Sequence, residues 1–404
     1  MIDVVLVVNS GSSSLKFALY PVSTEVTEPL MVGKVIRIGT DPQLMASIGH
    51  EALTVTEPFD HIPKDATHEW LITNLLERLY SRYVSFHPVA AGHRVVHGGS
   101  EFHQPIVIND DNMEILRSYI PLAPLHQQHC LAAIQAITDH SPELPQVACF
   151  DTAFHHTQNR LEKIYAIPRK YTEDELIRYG FHGISYQYIA SCFSANLGKK
   201  ADGKVIVAHL GNGSSMCALH NKRSVATSMG FSTLDGLIMG TRCGSIDAGL
   251  ILNLLNEKGL SVDEVQDILY NQSGLLGVSG ISNNMRILAE SNDPKAKEAI
   301  ELFCYRAVKE IGSQIAVMGG LDAIVFTAGI GENSALIRKL ICEPLAWLGL
   351  ELDDNANENN HTKISSDQST IDVHIIPTNE QAMIAISTCD LIDTEIQTFN
   401  RRSA

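Results

Sequence analysis

The sequence predicts an α/β protein built as two duplicated domains with its binding site in the cleft between them. Three stretches carry this expectation. Val4 to Tyr20 (VVLVVNSGSSSLKFALY) is an apolar run, a few small or polar residues and a second run opening on Lys16, the pattern of two strands joined by a Gly/Ser turn. A shift of 200 positions lays Lys204 to His220 (KVIVAHLGNGSSMCALH) over it, with Val5/Val205, Val7/Val207, Gly11/Gly211, Ser14/Ser214, Ala18/Ala218 and Leu19/Leu219 identical. A repeat this far apart implies a duplicated domain rather than a solenoid, whose periods run about 20 to 50 residues. The third stretch, Ala323 to Ser334 (AIVFTAGIGENS), is an apolar run and a glycine turn leading into the helix pattern SALIRKLICEPLAWLG.

The turns suggest a ligand. Gly11 can take backbone angles other residues avoid, and the hydroxyls of Ser10, Ser12, Ser13 and Ser14 are short donors, so the turn can aim N–H and O–H groups at one anion. The spacing is neither that of a P-loop nor that of a dinucleotide turn, and no helix pattern follows. An ordinary serine-rich hairpin turn is the competing reading of one such stretch. Two facing clamps, together with a strand, a glycine turn and a helix N-terminus, suit a nucleotide held between domains.

Composition narrows the class. With 404 residues, 45% hydrophobic and 19% charged, the chain has ample core for two globular domains. A formal charge of -16 argues against nucleic acid or an anionic membrane as partner. The eight cysteines are scattered without CxxC, which suggests reduced core residues and a cytosolic compartment. No apolar run approaches 18 residues, so neither a signal peptide nor a membrane span is expected.

In chain order, residues 21–66 mix strand-like pieces with Pro and Gly turns and yield no firm element. Helix periodicity runs from Glu69 to Tyr83, and an apolar strand follows into Ala91 to Gly99 (AGHRVVHGG). Asn109 or Asp110 would cap a helix from Asp111 to Tyr119. Pro121 to His129 (PLAPLHQQH) sets His126 after a proline turn with a helix behind it, and Gln146 to Asp151 (QVACFD) is a buried-type strand ending on a carboxylate. Ligands of α/β sheets bind beyond the carboxyl ends of strands, which favours Asp151 as a site residue. Beyond it lie Arg178 to Gly183 (RYGFHG), the second hairpin, and the glycine-rich Ser228 to Gly249. Helices are expected at Ala248–Lys258, Ser261–Leu269 and Pro294–Met318, an exposed polar loop at 352–370, and a strand at Val373–Ile376 that places Glu380 at a strand-to-helix turn.

Arg94 and Arg242 stand in glycine-bracketed apolar stretches, where an unpaired guanidinium is expensive. Each needs either a structural carboxylate or a bound carboxylate or phosphate held by its planar fork. With 17 histidines in the chain, His126, His182 and His209 taken singly are of a type more often found as hydrogen-bonded core or surface residues, and no zinc spacing is present. Asp151 and Glu380 could be half-buried caps; as a pair beside a phosphate clamp they suit Mg²⁺, which takes one or two carboxylates with waters and nucleotide oxygens.

The motifs VVNSGSSSLKF, GHRVVHGG, PLAPLH, FDTAFH, RYGFHG, HLGNGSS, TSMGF, MGTRCGSID, GIGEN and PTNE, in this order across essentially the whole length, resemble the acetate kinase family. The resemblance implies the two-domain ATPase fold shared with sugar kinases, actin and heat-shock chaperone ATPases. It also implies a homodimer and the reversible, Mg·ATP-dependent phosphorylation of acetate to acetyl phosphate by direct in-line transfer, with Mn²⁺ a substitute metal and propionate the alternative substrate. Residues 1–151 with about 382–404 would form the carboxylate-side domain and 152–381 the nucleotide-binding domain. Carried over by motif, Asn9 and Glu380 would hold the metal, with Lys16 and Ser12 near the nucleotide phosphates. Arg94 would bind the carboxylate, Asp151 would act at the reacting centre with His126 in the catalytic set, and His182 with Arg242 would stabilise the transferring phosphoryl group. His209, Leu210, Gly211, Asn212 and Gly213 would line the ATP site with Gly329, Ile330, Gly331, Glu332 and Asn333, while Asn284, Met285 and Arg286 would lie near the adenosine. Val96, Leu125, Phe181 and Thr233 would face the methyl group. The sequence departs from the family pattern at Cys243, Ser245, Ala248, Asn284 and Thr233, and at Gln127-Gln128, none of which replaces an assigned catalytic residue.

Two rivals remain open at this point. A nucleotide-gated interaction protein on the same fold would leave Arg94 and Arg242 without a small anion. A sugar kinase would want a polar hydroxyl-binding set with a catalytic base.

Overall fold

The computed structural model describes residues 1–11, 14–23, 25, 28–38, 40–49, 62–81, 85–124 and 126–402. Val4 to Val8 are apolar without alternation, as expected of a strand covered on both faces, and they lie in β1 (Ile2–Ser10). The chain turns at Gly11, whose amide donates to the Ser14 carbonyl at 2.8 Å, and returns as β2 (Ser14–Pro21). β3 (Met31–Ile36) and β4 (Gln43–Ile48) extend the sheet antiparallel on one side. On the other side β5 (Phe86–Val95) and β7 (Gln146–Phe150) run parallel to β1, and the two-residue β6 (Ile106–Val107) lies antiparallel at the edge. The order is β4-β3-β2-β1-β5-β7-β6.

Val4, Leu6 and Val8 share a core with Leu71, Leu75 and Leu79 of helix His68–Ser81 and Ala133 and Ile137 of helix Gln127–His140. Residues of opposite parity point to the other face, where helix Glu380–Arg402 packs on β1, β5 and β7. A Cβ on Gly92 of β5 would meet Thr388 Oγ1 at 2.3 Å and Ile384 Cγ2 at 2.7 Å, so glycine there sets how closely this helix approaches.

The second sheet contains β8 (Lys204–Leu210), β9 (Ser214–His220), β10 (Arg223–Thr227), β11 (Ala323–Thr327) and β12 (Asp372–Ile375), in the order β10-β9-β8-β11-β12. β8 pairs antiparallel with β9 and parallel with β11, as β1 does with β2 and β5, so the sequence repeat is a repeat of topology. Ile206, Ala208 and Leu210 pack into a core with helix Pro294–Met318, while helix Gly183–Leu197 also lies against β8. The chain divides into two compact units, Met1–Phe154 with Asn379–Ala404, and His155–Thr378.

Several local expectations need correction. The GIGEN segment is no open turn: it is itself a helical turn, Ala328–Asn333, broken at Ser334 before helix Ala335–Cys342. The helix pattern then ends in a 3₁₀ segment at Glu343–Leu348, where Pro344 removes a donor. The 352–370 segment is not simply exposed, since it contains helix Asp354–Glu358 with buried Ala356 and Asn357, and Ile364 and Ser365 are buried beyond it. Asn109 caps helix Asp110–Ser118 by accepting from the Asn112 amide, and the long helix runs from Pro294 to Met318 as periodicity requires.

Gly92→Ala should destabilise the protein by about 1–3 kcal/mol through overpacking. Gly312→Ala, on helix Pro294–Met318 with open space where its Cβ would stand, should stabilise it by about 0.4–1 kcal/mol. Calorimetry of both variants checks the pair; equal midpoints would mean that helix Glu380–Arg402 does not bear on β5.

Candidate active site

Parallel strands β1, β5 and β7 end at nearly one level, so Asn9, Arg94 and Asp151 gather at their carboxyl ends. Asp151 follows β7, its amide donating to the Val95 carbonyl at 3.1 Å, and it is 1% exposed. Arg94 Nε donates to both Asp151 oxygens at 3.1 Å, Nη2 donates to Oδ2, and Nη1 reaches Asn9 Oδ1 at 3.3 Å. Burial disfavours the guanidinium charge, but Asp151, with a further attraction from Glu380, holds its pKa above the ordinary value. Of the two readings open for Arg94, the structural carboxylate partner is realised. Among the described residues the Nη1 edge makes the long contact to Asn9.

Lys16 is the register partner of Asn9 and is exposed, while Glu380 opens helix Glu380–Arg402. His126 immediately precedes helix Gln127–His140, its amide donating to the Ala123 carbonyl at 3.0 Å. Val96 is buried; Ser12 and Leu125 lie outside the described residues. Two supports escaped sequence reasoning. Gln127 exchanges hydrogen bonds of 3.1 and 3.0 Å with the backbone of His97, and His68 Nε2 lies 2.6 Å from the Gly11 carbonyl, bracing the first turn.

In the second unit, Gly213 of the β8–β9 turn is bracketed by cationic and imidazole groups. A Cβ there would stand 3.3 Å from His182 Nε2 and 3.4 Å from Arg242 Nη2, so glycine lets the turn come against both. Arg242 Nη1 donates to the Thr233 carbonyl at 2.7 Å. His182 adopts a left-handed conformation, φ 59°, at the start of helix Gly183–Leu197, a local strain of the kind kept at functional positions. Its ring stacks on His209 with centroids 4.3 Å apart and planes 16° from parallel. His182 Nδ1 lies 2.9 Å from Ser215 Oγ, and His209 Nδ1 lies 2.8 Å from Ser185 Oγ. Phe181 is buried, and its carbonyl accepts from His155 Nε2 at 3.0 Å; burial lowers the pKa of His155 to about 4, so that ring is neutral.

Beside this turn lies a cavity of about 810 Å³, within the range of nucleotide-sized sites. Gly211 and Asn212 form one wall, Asn284, Met285 and Arg286 another, and Gly329, Ile330 and Asn333 a third. Of the expected nucleotide set in this unit, His209, Leu210, Gly213, Gly331 and Glu332 do not line it. Leu210 belongs to the core, and Gly331 is buried. Glu332 turns back so that Oε1 accepts from the Ala328 amide at 2.7 Å and the Thr378 amide at 3.1 Å. Asn284 is engaged as a helix cap, accepting from the Arg286 amide at 3.0 Å, and Arg286 pairs with Glu290 at 2.9 Å.

The helical turn Ala328–Asn333 rests on Arg338, the largest fully buried side chain. Its five donors reach the Gly331, Glu332 and Asn357 carbonyls and the side-chain oxygens of Asn357 and Asn360, between 2.6 and 3.0 Å. No carboxylate pairs with it among the described residues, and burial lowers its pKa to about 10. Asn357 lies in the segment expected to be an exposed loop, so the sequence offered no sign of this anchor.

Residues 4–386 match the Acetokinase family. The chain belongs to the acetokinase family. An acetate kinase of Rhodopseudomonas palustris is 47% identical over 390 residues, covering 95% of this chain and 97% of the relative. Among solved structures, a propionate kinase from Francisella tularensis has a TM-score of 0.88 at 39% identity, covering 96% of this chain and 100% of the other. A Porphyromonas gingivalis acetate kinase has a TM-score of 0.83 at 31% identity, with the same coverage. The acetokinase family is a family of phosphotransferases, and the two sheets carry the duplicated fold of the actin-like ATPases.

Arg338→Met should leave buried acceptors unpaired at about 1–3 kcal/mol for each that water cannot reach. Arg338→Lys should recover only part of this loss, because an ammonium cannot span the fork. Thermal unfolding of both variants and of Asn357→Ala checks it: fully additive Arg338 and Asn357 effects would mean that they do not share one network.

Proposed function

We propose that this enzyme transfers the γ-phosphoryl group of ATP to acetate in one in-line step, forming acetyl phosphate, with Mg²⁺ as the metal and Mn²⁺ as its substitute. The observation that carries the reading is the Gly213 turn, where a Cβ would stand 3.3 Å from His182 Nε2 and 3.4 Å from Arg242 Nη2, and which adjoins the nucleotide-sized cavity. Phosphoryl transfer leaves a protein little covalent work, so positioning and charge stabilisation dominate. His182 and Arg242 are assigned to the transferring group. Gly211, Asn212, Met285, Arg286, Gly329, Ile330 and Asn333 are assigned to the nucleotide, and Lys16 and Ser12 to its phosphates.

Arg94 is assigned to the acetate carboxylate through its Nη1 edge. A carboxylate is already a nucleophile at neutral pH, so Asp151 serves to aim Arg94 rather than to take a proton. His126 belongs to the same set. Mg²⁺ keeps several waters and leans on substrate phosphates, so it asks for few protein ligands. Asn9 and Glu380 supply hard oxygen donors for it. When bound, the ion neutralises charge on the phosphate oxygens.

The family resemblance also supports a homodimer. Helix Ala248–Asn256 has no buried residue and exposes Leu250 and Leu252, the apolar surface a second copy would cover. No helix among the described residues is long and apolar enough to cross a membrane, and the scattered free cysteines suit the cytoplasm.

Hydroxylamine trapping of acyl phosphate in the presence of ATP, Mg²⁺ and acetate tests the reaction itself. Arg94→Ala should raise the KM for acetate as well as lower kcat, whereas Arg242→Ala should act mainly on kcat. A variant of either with near wild-type kcat/KM removes that residue from the site. The propionate kinase relative keeps a second substrate in view. The family resemblance assigns the acyl chain to a mostly apolar wall of Val96, Leu125, Phe181 and Thr233, which can sense length but has little with which to reject a longer acid. Acetate should therefore exceed propionate in kcat/KM by no more than about two orders of magnitude, with activity falling sharply from butyrate onward. Undetectable propionate turnover, or butyrate equal to acetate, would mean that the wall is not built from these residues.

A further inference from the structure

Tyr186 and Ser215 have no part in the assignments above, yet they form a hydrogen-bonded chain that ends on His182 Nδ1. Tyr186 is fully buried on helix Gly183–Leu197, about one turn beyond His182. Its hydroxyl is hydrogen-bonded to the Ser215 hydroxyl, and Ser215 Oγ lies 2.9 Å from His182 Nδ1. Burial, reinforced by Cys217, holds the phenol pKa well above its ordinary value, so the hydrogen stays on oxygen. A buried O–H needs an acceptor, and Ser215 Oγ is placed to take it. The serine then has one hydrogen left to give, in the direction of Nδ1.

A neutral imidazole carries one hydrogen, so an accepting Nδ1 leaves it on Nε2. Nε2 is the nitrogen on the Gly213 side, where Arg242 Nη2 also points. We propose that Tyr186 and Ser215 are positioning residues that fix His182 as its Nε2–H tautomer, so that the ring donates toward the phosphoryl oxygens at the β8–β9 turn. The proposal rests on the phosphoryl-transfer reading of this site.

The neighbouring ring is held by the same device. His209 Nδ1 meets Ser185 Oγ, which in turn lies 2.9 Å from Thr378 Oγ1. Stacking fixes the plane of the two rings but not which edge faces the turn. A ring flip about χ2 would exchange Nδ1 for a carbon and lose the serine bond, so each serine selects the edge.

Long-range ¹H–¹⁵N correlation spectra of enzyme labelled with ¹⁵N-histidine read the tautomer directly at neutral pH, with His182 assigned by its loss in His182→Gln. The expected result is hydrogen on Nε2 and a bare Nδ1, and a mixture of tautomers in Tyr186→Phe. In acyl phosphate assays, Tyr186→Phe should lower kcat about 3- to 10-fold, the value of one hydrogen bond, with the KM values for ATP and acetate little changed. Ser215→Ala should cost more, and the double variant no more than Ser215→Ala alone, because Tyr186 acts through the serine. Hydrogen on Nδ1 or on both nitrogens in the wild type, an unchanged kcat in Tyr186→Phe, or multiplicative losses in the double variant would each overturn the proposal. Should wild-type enzyme form no acyl phosphate, the reaction reading fails, while the spectrum still decides the tautomer.

Discussion

Parallel strands that end level with one another are the constraint on which the first unit's chemistry depends. The register of β1, β5 and β7 brings Asn9, Arg94 and Asp151 into one group although they are far apart in sequence. A slip of one residue in any pair would turn the side chain to the opposite face and leave a guanidinium in apolar packing without its carboxylate. The helices on both faces make such a slip costly, since Val4, Leu6 and Val8 would lose their core together. Packing and charge therefore enforce the same register.

The second unit reaches a comparable precision by other means. The pattern of strands is the same, but where the first sheet ends in an ion pair, the end of β8 carries His209 beside a turn of glycines and asparagine. Hydroxyls take over the work of charges: Ser185, Ser215, Thr378 and Tyr186 hold two stacked imidazoles through neutral groups. Arg338 follows the same economy, a buried cation satisfied wholly by neutral oxygens. An arrangement of neutral acceptors around one fork is directional, and it fixes the helical turn Ala328–Asn333 more tightly than a lone carboxylate could.

What the sequence reveals and what it hides follows the range of the forces involved. The hairpins, the repeat and the long helix are legible because period and turn chemistry are local, and Arg94 and Asp151 stand out because a charge in an apolar run calls for explanation. β3 and β4 are hidden because their run of 21–66 mixes turns with short, partly exposed strands whose pairing comes from β2. Asn357 is hidden because its polar neighbours resemble a solvated loop, and its role depends on an arginine 19 positions earlier. Ser185 and Thr378 are 193 residues apart, and no spacing rule links them. Glu332 illustrates a further limit: within a motif that suggests a ligand, the side chain that looks most reactive is spent on its own backbone.

The helix Glu380–Arg402 belongs to the unit that begins with β1, and it covers one face of that sheet. During synthesis, residues 155–378 can complete their own sheet and helices before Glu380–Arg402 follows, whereas the unit containing β1 keeps one apolar face bare until that helix arrives. The order of maturation is thus the reverse of the order of translation. Loss of helix Glu380–Arg402 would therefore bare the apolar face of a sheet whose strands lie more than 200 residues earlier.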